Sequence, residues 1–400
     1  MRDPGEKWQR DLERWCEPYL DAFEHKVRRR WAPVYLRGLL LPGDRKSIEP
    51  IVERVAPAEK EQIHHFVATS KWDTQPIEAV HADRCSELVG GPDAHLIIDD
   101  TALPKKGAHS VGVAHQYCGA LGKQANCQCL VSLTLARDEI PVPLAFRLYL
   151  NEAWASDDER RTKAGVPDAI LFRPKWRIAL DEIDRVLENE VQFGDVLADA
   201  GYGSCGEFRA GLSKRKLLWT VGVLSTQTVY PASVRIVPPK PKRHGGRPST
   251  RGTPSENSRS VAKLIEELGP RAVRKVTWRN GSKGPLSGRF AMVRVRPADG
   301  PRMPVTNHHL PGEEVWLIAE FRSEETKYYL SNLPASASLK KVVSAIKARW
   351  SCEQMHQQMK EELGLDHFEG RSWHGLHHHA VLCMIAFAFL QHVRLRSKHS

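Results

Sequence analysis

Apolar residues recur at helical spacing through the first ninety positions. Leu12, Trp15, Tyr19, Leu20 and Phe23 mark one face of a helix predicted over 11–30. Residues 35–41 form a second apolar piece, and Pro57, at a helix start, opens a third that runs to about 70. At His95 the pattern changes. A short apolar run ends in Asp99 and Asp100 and reads as a buried strand, followed by a loop with Lys105 and Lys106. Strands are predicted at 115–121, 128–136 and 140–149. A helix follows from Pro174, with Trp176, Leu180, Ile183 and Leu187 on its apolar face. Residues 195–198 read as another buried strand, ending at Asp199. A helix over 206–215 and a strand over 217–223 come next. The alternation predicts an α/β fold.

Residues 225–325 break that rhythm and read as a β-rich insertion, with strands at 275–278, 291–295 and 314–319. Within it, 238–260 holds six cations against one acid and few apolar residues, the composition of a loosely ordered basic loop. The main pattern resumes at 328–331. A helix is predicted over 341–365, and a last one, apolar on most sides, over 377–395.

Composition narrows the class. Four hundred residues suggest two or three domains: a helical N-terminal domain over 1–90, a core from 91–224 and 326–372, the insertion, and a C-terminal helix over 373–400. A net charge of +11 points to a polyanionic partner, most simply nucleic acid. The basic run Lys26, Arg28, Arg29 and Arg30 is consistent with DNA recognition or with a packing or dimerisation arm. The eight cysteines include no C-x-x-C pair, and Cys127 and Cys129 form a C-x-C within a predicted strand. They read as reduced thiols of a cytoplasmic protein. The N-terminus does not resemble a signal peptide, and the longest apolar run, 381–390, is about half of what a membrane helix needs. His374, His377, His378 and His379 read as a polar helix start, because consecutive helical residues point in different directions and cannot share one ion.

On the helix over 341–365, Arg349, Glu353, His356 and Lys360 fall at i, i+4, i+7 and i+11, within roughly 60° of arc. The stripe is either a solvated charged face or an acidic metal ligand flanked by phosphate-binding cations. Asp100 and Asp199 both stand at predicted strand ends, where the active sites of open α/β sheets collect. Three carboxylates brought together would suit two Mg²⁺ or Mn²⁺ ions and phosphodiester chemistry.

In that order the three acids resemble the DDE transposases of bacterial insertion sequences, in the subgroup with a Y-R-E-K signature and a β-strand insertion. Arg349, Glu353 and Lys360 match the R, E and K positions, while Ile346 stands where the Tyr would be. The sequence LIIDDT resembles the first-acid motif, with Thr following the acid, which favours Asp100 over Asp99. DAGYG resembles the second, with Asp199 as ligand and Tyr202 as its companion. The resemblance implies an RNase H-like, retroviral-integrase-like core. It implies that Asp100, Asp199 and Glu353 hold two Mg²⁺ or Mn²⁺ ions, and that double-stranded DNA is bound as terminal inverted repeats and target. It also implies 3′-hydroxyl joining, a homodimer in the synaptic complex and a nucleoid-associated location. Arg349, Lys360, His356, Tyr202, Trp278, Lys105 and Lys106 become the expected DNA contacts. The alternatives are an RNase H-like resolvase and a non-catalytic transposase-derived DNA-binding protein.

Overall fold

In the computed structural model, residues 4–238, 252–281, 284–303 and 309–398 are described. The chain opens with α1 (Pro4–Ala22), α2 (Lys26–Leu40), α3 (Ile48–Val55), α4 (Lys60–His64) and α5 (Gln75–Val89). Strands β1 (His95–Pro104), β2 (Ala114–Cys118), β3 (Lys123–Arg137) and β4 (Ile140–Leu148) follow, then α6 (Glu152–Ala155), α7 (Asp158–Ala164) and α8 (Lys175–Glu188). Next come β5 (Asp195–Ala198), α9 (Ala200–Gly203), α10 (Gly206–Lys214), β6 (Trp219–Val223), β7 (Thr228–Pro231), β8 (Ile236–Val237), β9 (Thr253–Pro254) and β10 (Arg259–Ser260). The chain continues through α11 (Val261–Leu268), β11 (Arg274–Gly281), β12 (Gly284–Pro297), β13 (Val315–Phe321) and β14 (Thr326–Ser331). It closes with α12 (Leu339–Ala348), α13 (Trp350–Glu361) and α14 (Trp373–Lys398). The fold is mixed α/β. Part of the expected basic loop, 239–251, lies outside the described residues.

The chain divides into two compact units, Met1–Gly194 with Trp350–Ser400, and Asp195–Arg349. The divisions fall at 194/195 and 349/350, not near residue 90. In the first unit the N-terminal helices share a core with α14. The Trp15 indole donates to the Ile385 carbonyl at 3.3 Å, and the Tyr35 hydroxyl lies 3.0 Å from His379 Nδ1. Helix α14 is long and apolar enough to cross a membrane, unlike the short apolar run read from sequence. However, 83% of its most apolar window is buried inside the fold, so core packing accounts for its composition. Strand β3 pairs antiparallel with β1, β2 and β4. In this ladder Asp99 faces Ser132 and Asp100 faces Val131. The strand carrying the two aspartates does not end at them but runs on to Pro104.

In the second unit β5 and β6 pair in parallel through the α9–α10 crossover. The sheet continues antiparallel through β14, β13, β12 and β7 to β10, with β11 on β12. Glycine at 203 lets α9 lie against β6, since a Cβ there would stand 2.0 Å from the Gly222 carbonyl. Helix α12 packs its apolar face on this sheet. Ile346, at the position where a tyrosine was expected, is buried with Val276, Phe290, Ile318 and Leu333. Its role is apolar packing.

Candidate active site

A single strand and a single helix assemble the centre of the site in the first unit. Side chains alternate across a strand, so Asp99 and Asp100 point to opposite faces of β1. Asp100 meets α8, where Lys175 Nζ donates to its Oδ2 at 2.5 Å. Burial works against the ammonium charge, yet the Asp100 carboxylate and the Cys129 sulfur together outweigh it, and the Lys175 pKa is raised. Asp99 meets α13: its carboxylate, the Cys352 thiol and the His356 imidazole offer ligand atoms all within 4.8 Å of one another.

A hydrogen-bond chain ties α13 to β1. The Ser132 hydroxyl donates to the Asp99 carbonyl at 3.0 Å, and its oxygen accepts from His356 Nε2 at 2.9 Å. Cys352 Sγ lies 3.6 Å from the same nitrogen and 3.2 Å from Thr134 Oγ1. Sequence reasoning ranked Asp99 below Asp100 and did not name Ser132, Cys352 or Lys175. The period-2 alternation of β1 was the signal that separates Asp99 from Asp100.

The predicted helix over 341–365 is two helices, α12 and α13, with Arg349 between them in the α12 C-cap position. The four-residue stripe is therefore not one face of one helix. Within α13 the boundary between buried and exposed sides runs through it. Glu353 is exposed in the first turn, Lys360 is half-buried, and His356 is buried with Ser351, Cys352, Met355 and Met359. His356, named as a DNA contact, is buried instead, and its imidazole is spent on Ser132. Burial lowers the Lys360 pKa, with Asp366 opposing that shift.

Asp199 belongs to the second unit and caps α9, where its Oδ1 accepts from the Gly201 and Tyr202 amides at 3.0 and 3.3 Å. The Tyr202 ring is buried and tilted against Phe208. Trp278 packs on the insertion core, edge-on to Phe290, with Lys347 Nζ 4.8 Å from its ring centroid. Lys105 is turned inward, donating to the Phe368 carbonyl at 2.7 Å and the Asp366 carbonyl at 3.3 Å. Burial lowers its pKa. Lys106 is exposed. These contacts give Lys105 and Trp278 structural partners where DNA contacts were expected.

The donor chemistry is specific. Carboxylate oxygens of the kind carried by Asp99, Asp100, Asp199 and Glu353 suit Mg²⁺ or Mn²⁺. The mixed oxygen, sulfur and nitrogen group of Asp99, Cys352 and His356 does not by itself suit Mg²⁺. The histidines at the start of α14 are buried rather than polar-exposed: His378 and His379 are fully buried, and His377 nearly so. His379 and His377 are held by the Gly364 and Trp373 carbonyls respectively.

Two comparisons bear on these residues. A protein described as a probable transposase for insertion sequence element IS701, from Microchaete diplosiphon, is 29% identical over 220 residues. The match covers 54% of this chain and spans about 55% of the length of that relative. The family model of the DDE superfamily endonucleases matches residues 18–285, about two thirds of the chain. Asp99, Asp100 and Asp199 lie inside the matched stretch and Glu353 lies beyond it. On the strength of that match, the chain belongs to the DDE superfamily endonuclease family.

Proposed function

We propose that the protein is an insertion-sequence transposase with an RNase H-like core. In this reading it binds the terminal inverted repeats of its element, cleaves phosphodiesters at the element ends and joins the freed 3′-hydroxyls to target DNA. The observation that carries the reading is the junction of β1 with α13 through Ser132 and His356, in a chain of the DDE family. It gives the Asp99–Asp100 pair and Glu353 neighbouring supports. Asp199, from the second unit, completes the acid set in this proposal.

The first acid of the set is one of two adjacent residues. The ion pair with Lys175 supports a charge-balancing role for Asp100. The Cys352 and His356 side chains around its carboxylate support Asp99 as the acid on the α13 side. The carboxylates would hold one or two Mg²⁺ or Mn²⁺ ions, which when bound activate the attacking oxygen and stabilise the leaving one. Arg349, Lys360 and Lys106 are the cations proposed to meet DNA phosphates, adding affinity that falls with salt. A homodimer holding two ends is part of the same proposal.

The test uses purified protein, Mg²⁺ and a duplex carrying the terminal repeat. Glu353→Gln is expected to bind that duplex with parental affinity and to cleave at least about a thousandfold more slowly, since the metal centre supplies several kcal/mol. Asp99→Asn is expected to match that loss and Asp100→Asn to fall short of it. Parental cleavage by Glu353→Gln overturns the reading.

A further inference from the structure

We propose that Asp99, Cys352 and His356 form a binding site for a thiophilic divalent cation of the Zn²⁺ type, set between β1 and α13. The ligand atoms of the three residues all lie within 4.8 Å of one another. Cys352 and His356 stand at i and i+4 on α13, neighbours on one helix face, and Asp99 comes to them from β1. All three residues belong to the first unit.

The spacing suits a tetrahedral ion. Cys352 Sγ lies 3.6 Å from His356 Nε2. Ligands held at about 2.3 Å through sulfur and about 2.0–2.1 Å through nitrogen stand about 3.6 Å apart around a tetrahedral Zn²⁺. One edge of the coordination tetrahedron is therefore already built. The Asp99 carboxylate supplies the third vertex, and water takes the fourth, as in zinc sites with three protein ligands.

The donor set selects the ion. A thiolate and an imidazole favour Zn²⁺ or a neighbouring transition metal over Mg²⁺, which takes oxygen ligands and keeps several of its waters. Cys352 is fully buried and His356 is 6% exposed, which leaves little room for such a hydration shell. The charges also balance, since the carboxylate and the thiolate together cancel a divalent ion. On binding, the Cys352 thiol releases its proton, and the His356 proton moves from Nε2 to Nδ1. The groups around the ligands keep their partners. The Ser132 hydroxyl still donates to the Asp99 carbonyl at 3.0 Å. Thr134 Oγ1, 3.2 Å from Cys352 Sγ, becomes a donor to the thiolate, the kind of supporting hydrogen bond that metal ligands use. The ion ties α13 to β1 one residue before Glu353.

The site itself does not depend on the transposase reading. Its consequence for cleavage does, because Asp99 belongs to the acid set proposed above. The experiment titrates the full chain, stripped of metal by a chelator, with Co²⁺. This ion reports a thiolate ligand by a near-ultraviolet charge-transfer band and tetrahedral geometry by its visible bands. One equivalent of Co²⁺ should develop both, and Zn²⁺ should erase them. Cys352→Ser should abolish the thiolate band and weaken Zn²⁺ binding by more than about a hundredfold, beyond the loss expected for a merely supporting group. His356→Gln, which keeps a donor for Ser132, should weaken Zn²⁺ binding comparably. Cys205→Ser removes a half-buried thiol of the second unit and should leave the band unchanged. With Mg²⁺ present, Zn²⁺ should slow cleavage of the terminal-repeat duplex. A thiolate band that depends on Cys352, with cleavage indifferent to Zn²⁺, supports the site and counts against Asp99 in the acid set. The same band in a protein that cleaves no duplex supports the site and counts against the transposase reading. The proposal is overturned if the parental protein develops no thiolate band, if the band survives Cys352→Ser, or if His356→Gln binds Zn²⁺ with parental affinity.

Discussion

Helices α13 and α14 both carry histidines among other polar residues, and the two make opposite use of what surrounds them. On α13 the polar stripe divides, with Glu353 outward and His356 inward against Ser132. On α14 the stretch 375–389 is buried throughout, and exposure begins at Leu390. His378 and His379 are fully buried within a helix that runs through the core. The difference teaches that a polar side chain on a helix reveals its face only through its partners. His356 finds a hydroxyl on β3. His379 finds the Tyr35 hydroxyl and the Gly364 carbonyl. His81 repeats the α14 arrangement on α5, with the Tyr19 hydroxyl on one nitrogen and the Pro143 carbonyl on the other. In both tyrosine pairs the carbonyl fixes the imidazole proton on Nε2, so Nδ1 accepts from the tyrosine.

If the contrast holds, acid should strike the α14 side hardest. Burial pulls the pKa of His81, His377 and His379 down to about 4 from the ordinary value near 6.5. The unfolded chain then binds more protons than the folded one. The stability these groups contribute is complete above pH 6.5 and is lost as pH falls toward 4. Urea denaturation at pH 7 and pH 5 should show a drop of roughly 2 kcal/mol per histidine. Equal stability at the two values would mean that these imidazoles are hydrated in solution.

A smaller effect is expected on α13. Ser132→Ala removes the acceptor of the buried His356 N–H and should cost about 1–3 kcal/mol by denaturant titration. A cost near zero would mean that the Ser132 link does not hold α13 to β1. The smallest effect belongs to the exposed side of the same helix. Glu353→Gln should change folding stability by less than about 0.5 kcal/mol, in contrast to its expected effect on cleavage. A large loss of stability there would place Glu353 in the packing of α13.

Much of the β-strand and helix order was legible because it depends on local patterns. Residues 195–198 and 140–149 read as strands, the second matching β4 to within one residue, and α8 was legible from its apolar spacing after Pro174. The break between α12 and α13 was not legible, since neither proline nor glycine marks it and Arg349 keeps helical angles. The choice between Asp99 and Asp100 was half legible. Alternation says that they diverge, but only the packed helices say which face holds α13 and which holds Lys175. The inward turn of Lys105 was hidden as well, because its carbonyl partners lie more than 250 positions away.

By itself the sequence determined most of the β-strand and helix pattern along which the candidate acids are ordered, because periodicity and turn chemistry act over a few neighbouring residues. It also determined the basic charge, which depends on composition alone. Tertiary structure alone decided which polar groups are spent on the fold. Ser132 and His356, Lys175 and Asp100, and Tyr35 and His379 meet across wide sequence separations, where only packing can choose a partner.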